Sequence, residues 1–323
     1  MPQMQVNRTP FRFNRCHRTY ELATRDVQHE RDRSSISSVL LKTRTPVGFS
    51  HPGWKLRMRS GYGRVPIWMH CHAARRPVLL PRAGPLVSFA FDDFPRTAYA
   101  VGGSILRNLG IRGTFYVAMG LMNGTNSLGD QFHLEDLYSA AADGHELATH
   151  TFHHTSSRTA ALEVFLEDVR EGYKAMSEIP DLPVSANFAY PNGHVTLAAK
   201  RAVGREMLSC RGVYGGLNGS VVDLNLLRAN SLYGGMDSLG EVRSLLRDNE
   251  RRNGWLIFYT HDVRRTPSAY GCTPELLESV VRQAIERSMK ILPVGEVLAR
   301  AVKETAEGMT RHTGYASERS MTA

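Results

Sequence analysis

The 323-residue sequence is short of most features that would put a chain in a special class. It has four cysteines, Cys16, Cys71, Cys210 and Cys272, scattered along the chain with no Cys-x-x-Cys pair. That usage excludes a disulfide framework and a thiolate zinc site, and points to reduced thiols in a cytoplasmic protein. No apolar run approaches the ~18 residues of a membrane-spanning helix. The first thirty residues hold no apolar stretch of the kind a secretory signal needs, so export is not expected. No Gly-x-Gly-x-x-Gly follows the first strong strand pattern, so nothing supports a dinucleotide site. The rest of the composition, 42% hydrophobic and 22% charged, is that of a soluble globular protein.

Acidic residues are scarce in one region only. Residues 1–85 carry 16 Lys and Arg against 4 Asp and Glu, whereas residues 86–323 carry 24 against 27. The net charge of +9 therefore belongs to the N-terminal segment and says little about the main domain. Residues 1–85 also lack sustained periodicity and read as a disordered or loosely packed basic extension. Their arginines leave a nucleic-acid or anionic-membrane contact as the lesser reading. Met69 is a candidate alternative start, 17 residues before the first strand.

From Leu86 the pattern changes. Short β-rich runs are expected at 86–91, 113–118, 145–149, 184–190, 210–214, 226–232, 255–259 and 290–294. Helical patterns fall between them at 97–109, 134–142, 159–179, 196–207, 238–251 and 274–288. Repeated strand–helix alternation implies parallel strands covered by helices. About seven such units over roughly 215 residues fit one α/β domain, a distorted (β/α) barrel, better than two separate domains. The tail after Thr305 is polar and expected to fray.

The polar residues stand where those strands end. Phe89-Ala90-Phe91 runs into Asp92-Asp93, and His150-Thr151-Phe152-His153-His154 follows the third strand. Pro191-Asn192-Gly193 and His261-Asp262 follow two more. In a parallel barrel those ends share one face, where active sites are built. Adjacent aspartates at a strand end point in different directions, so Asp92 and Asp93 cannot do the same job. In a helical turn, His150 and His154 would lie on one side. Two histidines and a carboxylate make a zinc-ligand set with open positions for water and substrate. Trp255 reads as core, and His133 and His194 as loop residues.

Together these stretches resemble the polysaccharide deacetylase family, the NodB homology domain of carbohydrate esterase family four, over residues 85–302. The motifs are Phe91-Asp92-Asp93, Gly144-His145-Glu146 followed by His150-Thr151-Phe152-His153-His154, Pro191-Asn192-Gly193, and His261-Asp262. The resemblance implies a NodB-type barrel and a divalent metal, zinc by preference, held by Asp93, His150 and His154. It implies Asp92 as general base, His261 as general acid and the backbone N–H of Asn192 as an oxyanion donor. Tyr190, Pro191, Tyr259 and Arg228 are candidates for the substrate pocket. Three departures from the family pattern stand out. Ala189 replaces an arginine that orients the catalytic aspartate in many members, and Arg228 is a candidate substitute. No counterpart of the family's Asp-x-x-Asp-Trp motif is found, and Phe94-Pro95 follows Asp93 where glycine is usual.

The expectation is thus a metal-dependent N-deacetylase acting on N-acetylglucosamine units of an oligo- or polysaccharide, nearest in kind to a chitooligosaccharide deacetylase. An amide hydrolase of the same fold with a small non-sugar substrate, or a sugar-binding protein with little catalysis, are the alternatives.

Overall fold

The computed structural model describes residues 72–80 and 84–300. Most of the basic extension, and the tail from residue 301, lie outside the described residues. The described part is built on a parallel sheet. Its strands are β2 (Leu86–Asp93), β3 (Thr114–Val117), β6 (Glu146–Thr149), β7 (Ser185–Ala189), β8 (Ser209–Arg211), β10 (Asn230–Ser231) and β11 (Trp255–Thr260). Their spatial order is β10-β11-β2-β3-β6-β7-β8, with β12 (Lys290–Ile291) also pairing with β2. All of these pairings are parallel. The central strands β2, β3 and β11 are buried along their whole length, which is why they read as near-continuous apolar runs.

The sheet curls into a half-barrel, and one short segment nearly bridges its two edges. Leu227 donates its N–H to the carbonyl of Cys210 at 2.8 Å and accepts from the N–H of Gly212 at 3.0 Å. Three residues on, β10 pairs with β11 at Asn230↔Phe258. The alternation of side chains sorts the strands into two cores. Val87, Phe89, Phe91, Phe115, Leu256 and Phe258 pack outward under helices. Leu86, Ala90, Tyr116, Ala189, Trp255, Ile257 and Tyr259 fill the interior. Trp255 is interior as expected, and its indole N–H donates to Ser88 Oγ at 3.0 Å.

The helices are α1 (Ser104–Asn108), α2 (Leu134–Ala142), α3 (Leu162–Ser177), α4 (Leu197–Glu206), α5 (Leu239–Arg252) and α6 (Pro274–Glu286). They fall within the expected stretches to within a residue, α1 in the second half of its stretch, and capping threonines mark two of the starts. Thr196 accepts from the Ala199 N–H, and Thr273 from the Leu276 N–H with Pro274 at the first helical position.

Residues 72–80, counted with the extension on sequence grounds, are strapped onto the domain. Here β1 (Pro77–Leu79) pairs antiparallel with β9 (Val221–Asp223). Arg76 donates its main-chain N–H to Asp223 and its guanidinium to the carbonyls of Met207 and Leu208. The fully buried Lys200 ties Asp223 to the carbonyl of Ala73. A three-residue strand whose burial pattern is exposed–half-buried–exposed carries almost no periodic signal in sequence. A further small hairpin, β4 (Thr125–Asn126) with β5 (Gly129–Asp130), was missed for the same reason.

Candidate active site

The site forms where β2, β6, β7 and β11 end. Strand β2 stays regular through Asp92, whose side chain points into the barrel with the parity of Ala90. The backbone then turns left-handed at Asp93 (φ 64°) and Phe94 (φ 65°). This turn takes Asp93 out of the strand's alternation, and its carboxylate meets the two histidines after β6. Asp93 Oδ1 lies 3.4 Å from His150 Nε2 and 3.2 Å from His154 Nε2.

His150 and His154 do not reach that point through a helical turn, as their spacing suggested. Residues 150–154 form a loop with left-handed backbone at Thr151 (φ 67°) and His154 (φ 57°). These two reversals bring the imidazoles together at a ring separation of 5.0 Å. His150 is buried, and its Nδ1 is 2.8 Å from the carbonyl oxygen of Ala189. A carbonyl can only accept, so Nδ1 carries the proton and Nε2 presents a bare lone pair. Burial pushes the imidazolium form of His150 down to about 3, and that of His154 below its usual value, so both rings are neutral at pH 7.

Those facts test the fit of a cation. Asp93 Oδ1 is buried and has no hydrogen-bond donor. A carboxylate oxygen and an imidazole lone pair converge on one point with no proton between them, and His154 Nε2 adds a third donor. All three ligand atoms lie within 4.8 Å of one another. Burial pushes the Asp93 carboxyl up to about 6, with Asp92 adding to the rise. The set can hold a divalent metal, and two imidazoles with one carboxylate suit zinc or another borderline ion.

Asp92 has a different environment. It is buried, and Oδ1 accepts from Arg211 Nη2 at 2.5 Å. Burial alone would raise its pKa, but the Arg211 guanidinium and the nearby histidines outweigh it and hold the carboxyl below the usual range. Arg211 is fully buried. Its guanidinium lies 4.8 Å from the ring centre of Tyr116 and 5.0 Å from that of Tyr259, a sandwich that suits a planar cation.

Arg211 is the residue that sequence reasoning missed. Arg228, the expected substitute, instead donates to the carbonyl of Gly215 at 2.9 Å and has no contact with Asp92 among its hydrogen bonds. Arg211 ends β8 and pairs with Ala189 in register. It therefore occupies the next strand's position on the same inward face as Ala189. A charged residue inside a predicted strand, Cys210-Arg211, was the available signal.

The turn after β7, Pro191–Gly193, has left-handed backbone at Asn192 (φ 55°) and Gly193 (φ 61°). A Cβ on Gly193 would lie 2.0 Å from Val213 Cγ2, so no other residue fits there. Asn192 is exposed between two buried neighbours. Tyr190, expected in the substrate pocket, is instead fully buried in the outer core, 5.0 Å from Phe188 by ring centres. The strand's alternation turns it away from the barrel interior. Pro191 is also buried. Tyr259 is mostly buried and serves as one wall around Arg211.

His261 follows β11 and is only partly buried. Its Nδ1 donates to the carbonyl of Tyr270 at 3.1 Å, which leaves Nε2 free to face the site. It lies close enough to Asp92 and Asp93 to act on both carboxylates electrostatically. No carboxylate backs the imidazole among the described hydrogen bonds; a main-chain carbonyl does that job. The loop carrying that carbonyl is gathered by the buried Asp262, which accepts from the Ser268 N–H at 2.9 Å and pairs with Arg264 at 2.7 Å.

The sequence model described as "Polysaccharide deacetylase" matches residues 81–207. No curated protein matches the sequence. Among solved structures, a mutant of the peptidoglycan deacetylase PdaC from Bacillus subtilis aligns at 13% identity and a TM-score of 0.46, covering 71% of this chain and 98% of that one. The chitin deacetylase of Colletotrichum lindemuthianum aligns at 17% and 0.45, covering 68% and 90%. A family 4 acetyl xylan esterase from Clostridium thermocellum, solved with cobalt, aligns at 17% and 0.46, covering 66% and 90%.

Proposed function

We propose, on the site's geometry and the match of the polysaccharide deacetylase model to residues 81–207, that the chain is a metal-dependent hydrolase that removes acetyl groups from N-acetylglucosamine units of an oligo- or polysaccharide. The observation that carries the reading is the buried, donor-free Asp93 Oδ1 facing two neutral imidazoles, with an ionised Asp92 next in sequence. Asp93, His150 and His154 would hold the metal, zinc by preference. A divalent ion there supplies polarisation of the amide carbonyl and acidifies water near it.

The chain's own residues account for the proton movements. Asp92, ionised at neutral pH and fixed by Arg211, accepts the proton of the attacking water. The Asn192 N–H, projecting from its left-handed turn, donates to the oxygen that gains charge as the carbonyl becomes tetrahedral. His261, its Nδ1 committed to the Tyr270 carbonyl, presents Nε2 to the departing amine and gives it a proton. Base and acid are thus carried by different strands, β2 and β11.

Incubating zinc-loaded protein with a series of N-acetylglucosamine oligomers and reading the products by mass spectrometry tests this. Loss of one or more acetyl groups, absent after chelation, is the expected result. Unchanged masses across the whole series, in protein shown to hold its metal, would overturn the substrate assignment.

A further inference from the structure

The loop that carries His150 and His154 is conformationally costly, since two of its non-glycine residues are left-handed. Something outside the loop must hold it, and helix α3 does. Asp168, 5% exposed, turns its carboxylate to the loop. Oδ1 accepts from the His153 N–H at 3.0 Å and from His153 Nδ1 at 2.7 Å. Oδ2 accepts from the Thr155 N–H at 3.3 Å. The Asp168 carbonyl takes the Phe152 N–H at 3.0 Å. One residue of α3 thus satisfies three main-chain donors, those of Phe152 and His153 within the loop and of Thr155 just after it.

One turn along the same helix face, Gly172 lets the loop lie flush on α3. A Cβ there would stand 2.4 Å from Thr151 C and 2.5 Å from Thr151 O, both main-chain atoms. Asp168 and Gly172 together form a cradle, one by hydrogen bonds and the other by the absence of a side chain. On the far side, the Gly120 N–H donates to the Phe152 carbonyl at 2.8 Å.

We propose that Asp168 is a positioning residue that holds the His150–His154 loop in the shape that receives the metal, with His153 as a second hook on the same carboxylate. The proposal rests on Asp93, His150 and His154 being the metal site. His153, Asp168 and Glu171 are also close enough together to suggest a second ion. The hydrogen bonds argue against it: Asp168 already accepts main-chain and imidazole N–H groups, and His153 Nδ1–H points at the oxygen an ion would need.

The test uses the full chain as wild type, Asp168→Asn, Gly172→Ala and His154→Ala. Three quantities are read: zinc equivalents per chain by elemental analysis, zinc Kd by chelator competition, and apo melting temperature. Wild type should bind one equivalent, and His154→Ala should lose it. Asp168→Asn keeps the shape of the side chain but turns an N–H₂ toward a main-chain donor. It should bind one equivalent with a Kd weakened about 10- to 100-fold, the usual range for partners behind the ligands. Gly172→Ala should weaken it in the same direction. A Kd unchanged in a folded Asp168→Asn, even with a lowered apo melting temperature, would reduce Asp168 to a structural role and overturn the proposal. Two equivalents in wild type, with one lost in Asp168→Asn, would also overturn it, in favour of a second ion. If His154→Ala kept wild-type affinity, the metal-site reading itself would fall, and the proposal with it.

Discussion

At the scale of single residues, Asp92 and Asp93 differ by one position and by almost everything else. Asp92 is buried against a guanidinium, and Asp93 is buried against two neutral rings. The second arrangement costs stability when no ion is bound. Asp93 has a folded pKa of about 6, above its ordinary value of 3.8. The folded state then holds more protons than the unfolded one between those values, so stability falls as pH rises through about 4 to 6. Two units correspond to about 3 kcal/mol. In chelator-treated protein, Asp93→Asn should therefore be more stable than wild type by up to about 3 kcal/mol at pH 7, with the gap closing toward pH 4. Urea unfolding at several pH values reads this, and equal stability at pH 7 would contradict it. Asp92 has the opposite sign, because its folded pKa is lowered: its contribution is present above the unfolded pKa and lost only in stronger acid. Arg211→Met would leave that carboxylate buried and unpaired, at a cost of about 3–5 kcal/mol in the same measurement. The two proton-transfer roles can be separated kinetically. Asp92→Asn and His261→Ala should each keep the metal and lose about 100- to 10,000-fold in turnover. Only the His261→Ala defect should shrink for substrates with better leaving groups, and losses under tenfold would be too small for either role.

At the scale of elements, each functional side chain sits where a strand hands over to an irregular turn. Left-handed backbone at Asp93, at Thr151 and His154, and at Asn192 turns three segments toward one point. The turn after β7 is the least forgiving, because Gly193 has both a positive φ and a neighbouring Val213 methyl where a Cβ would go. Gly193→Ala should displace the Asn192 N–H and reduce turnover sharply. Zinc affinity should stay close to wild type, since the ligands belong to β2 and the loop after β6. A variant that lost zinc and turnover together would show that the two turns are mechanically one unit.

At the scale of the molecule, no helix among the described residues is long and apolar enough to cross a membrane. The domain reaches back to Ala73 through the β1–β9 pair and the contact of Lys200 with the Ala73 carbonyl. A chain lacking residues 1–68 keeps that pair and should fold with wild-type melting temperature and activity. One lacking residues 1–80 leaves Lys200 and Asp223 without their strap and should melt several degrees lower. Insoluble product from the shorter truncation would show that residues 1–68 contribute to the fold.

The sequence by itself determined the strand–helix alternation, the helix starts and the four polar strand ends. These are local: an apolar strand core, a capping threonine or a histidine pair is written in consecutive residues. It also supplied the donor types of the candidate metal set, because two of the three lie within five residues. Only the tertiary structure decided which residue neutralises Asp92. Arg211 is 119 positions away, and its pairing depends on β8 lying beside β7 at the register Ala189↔Arg211. Alternation tells which way a side chain points, but not which strand it faces across the barrel. The same holds for Tyr190, which strand parity turns outward, and for β1, whose central residue finds its partner 144 positions later, at Val78↔Val222. Such choices follow from long-range packing, where the free energy of burying a charge with its partner is settled by the whole sheet at once.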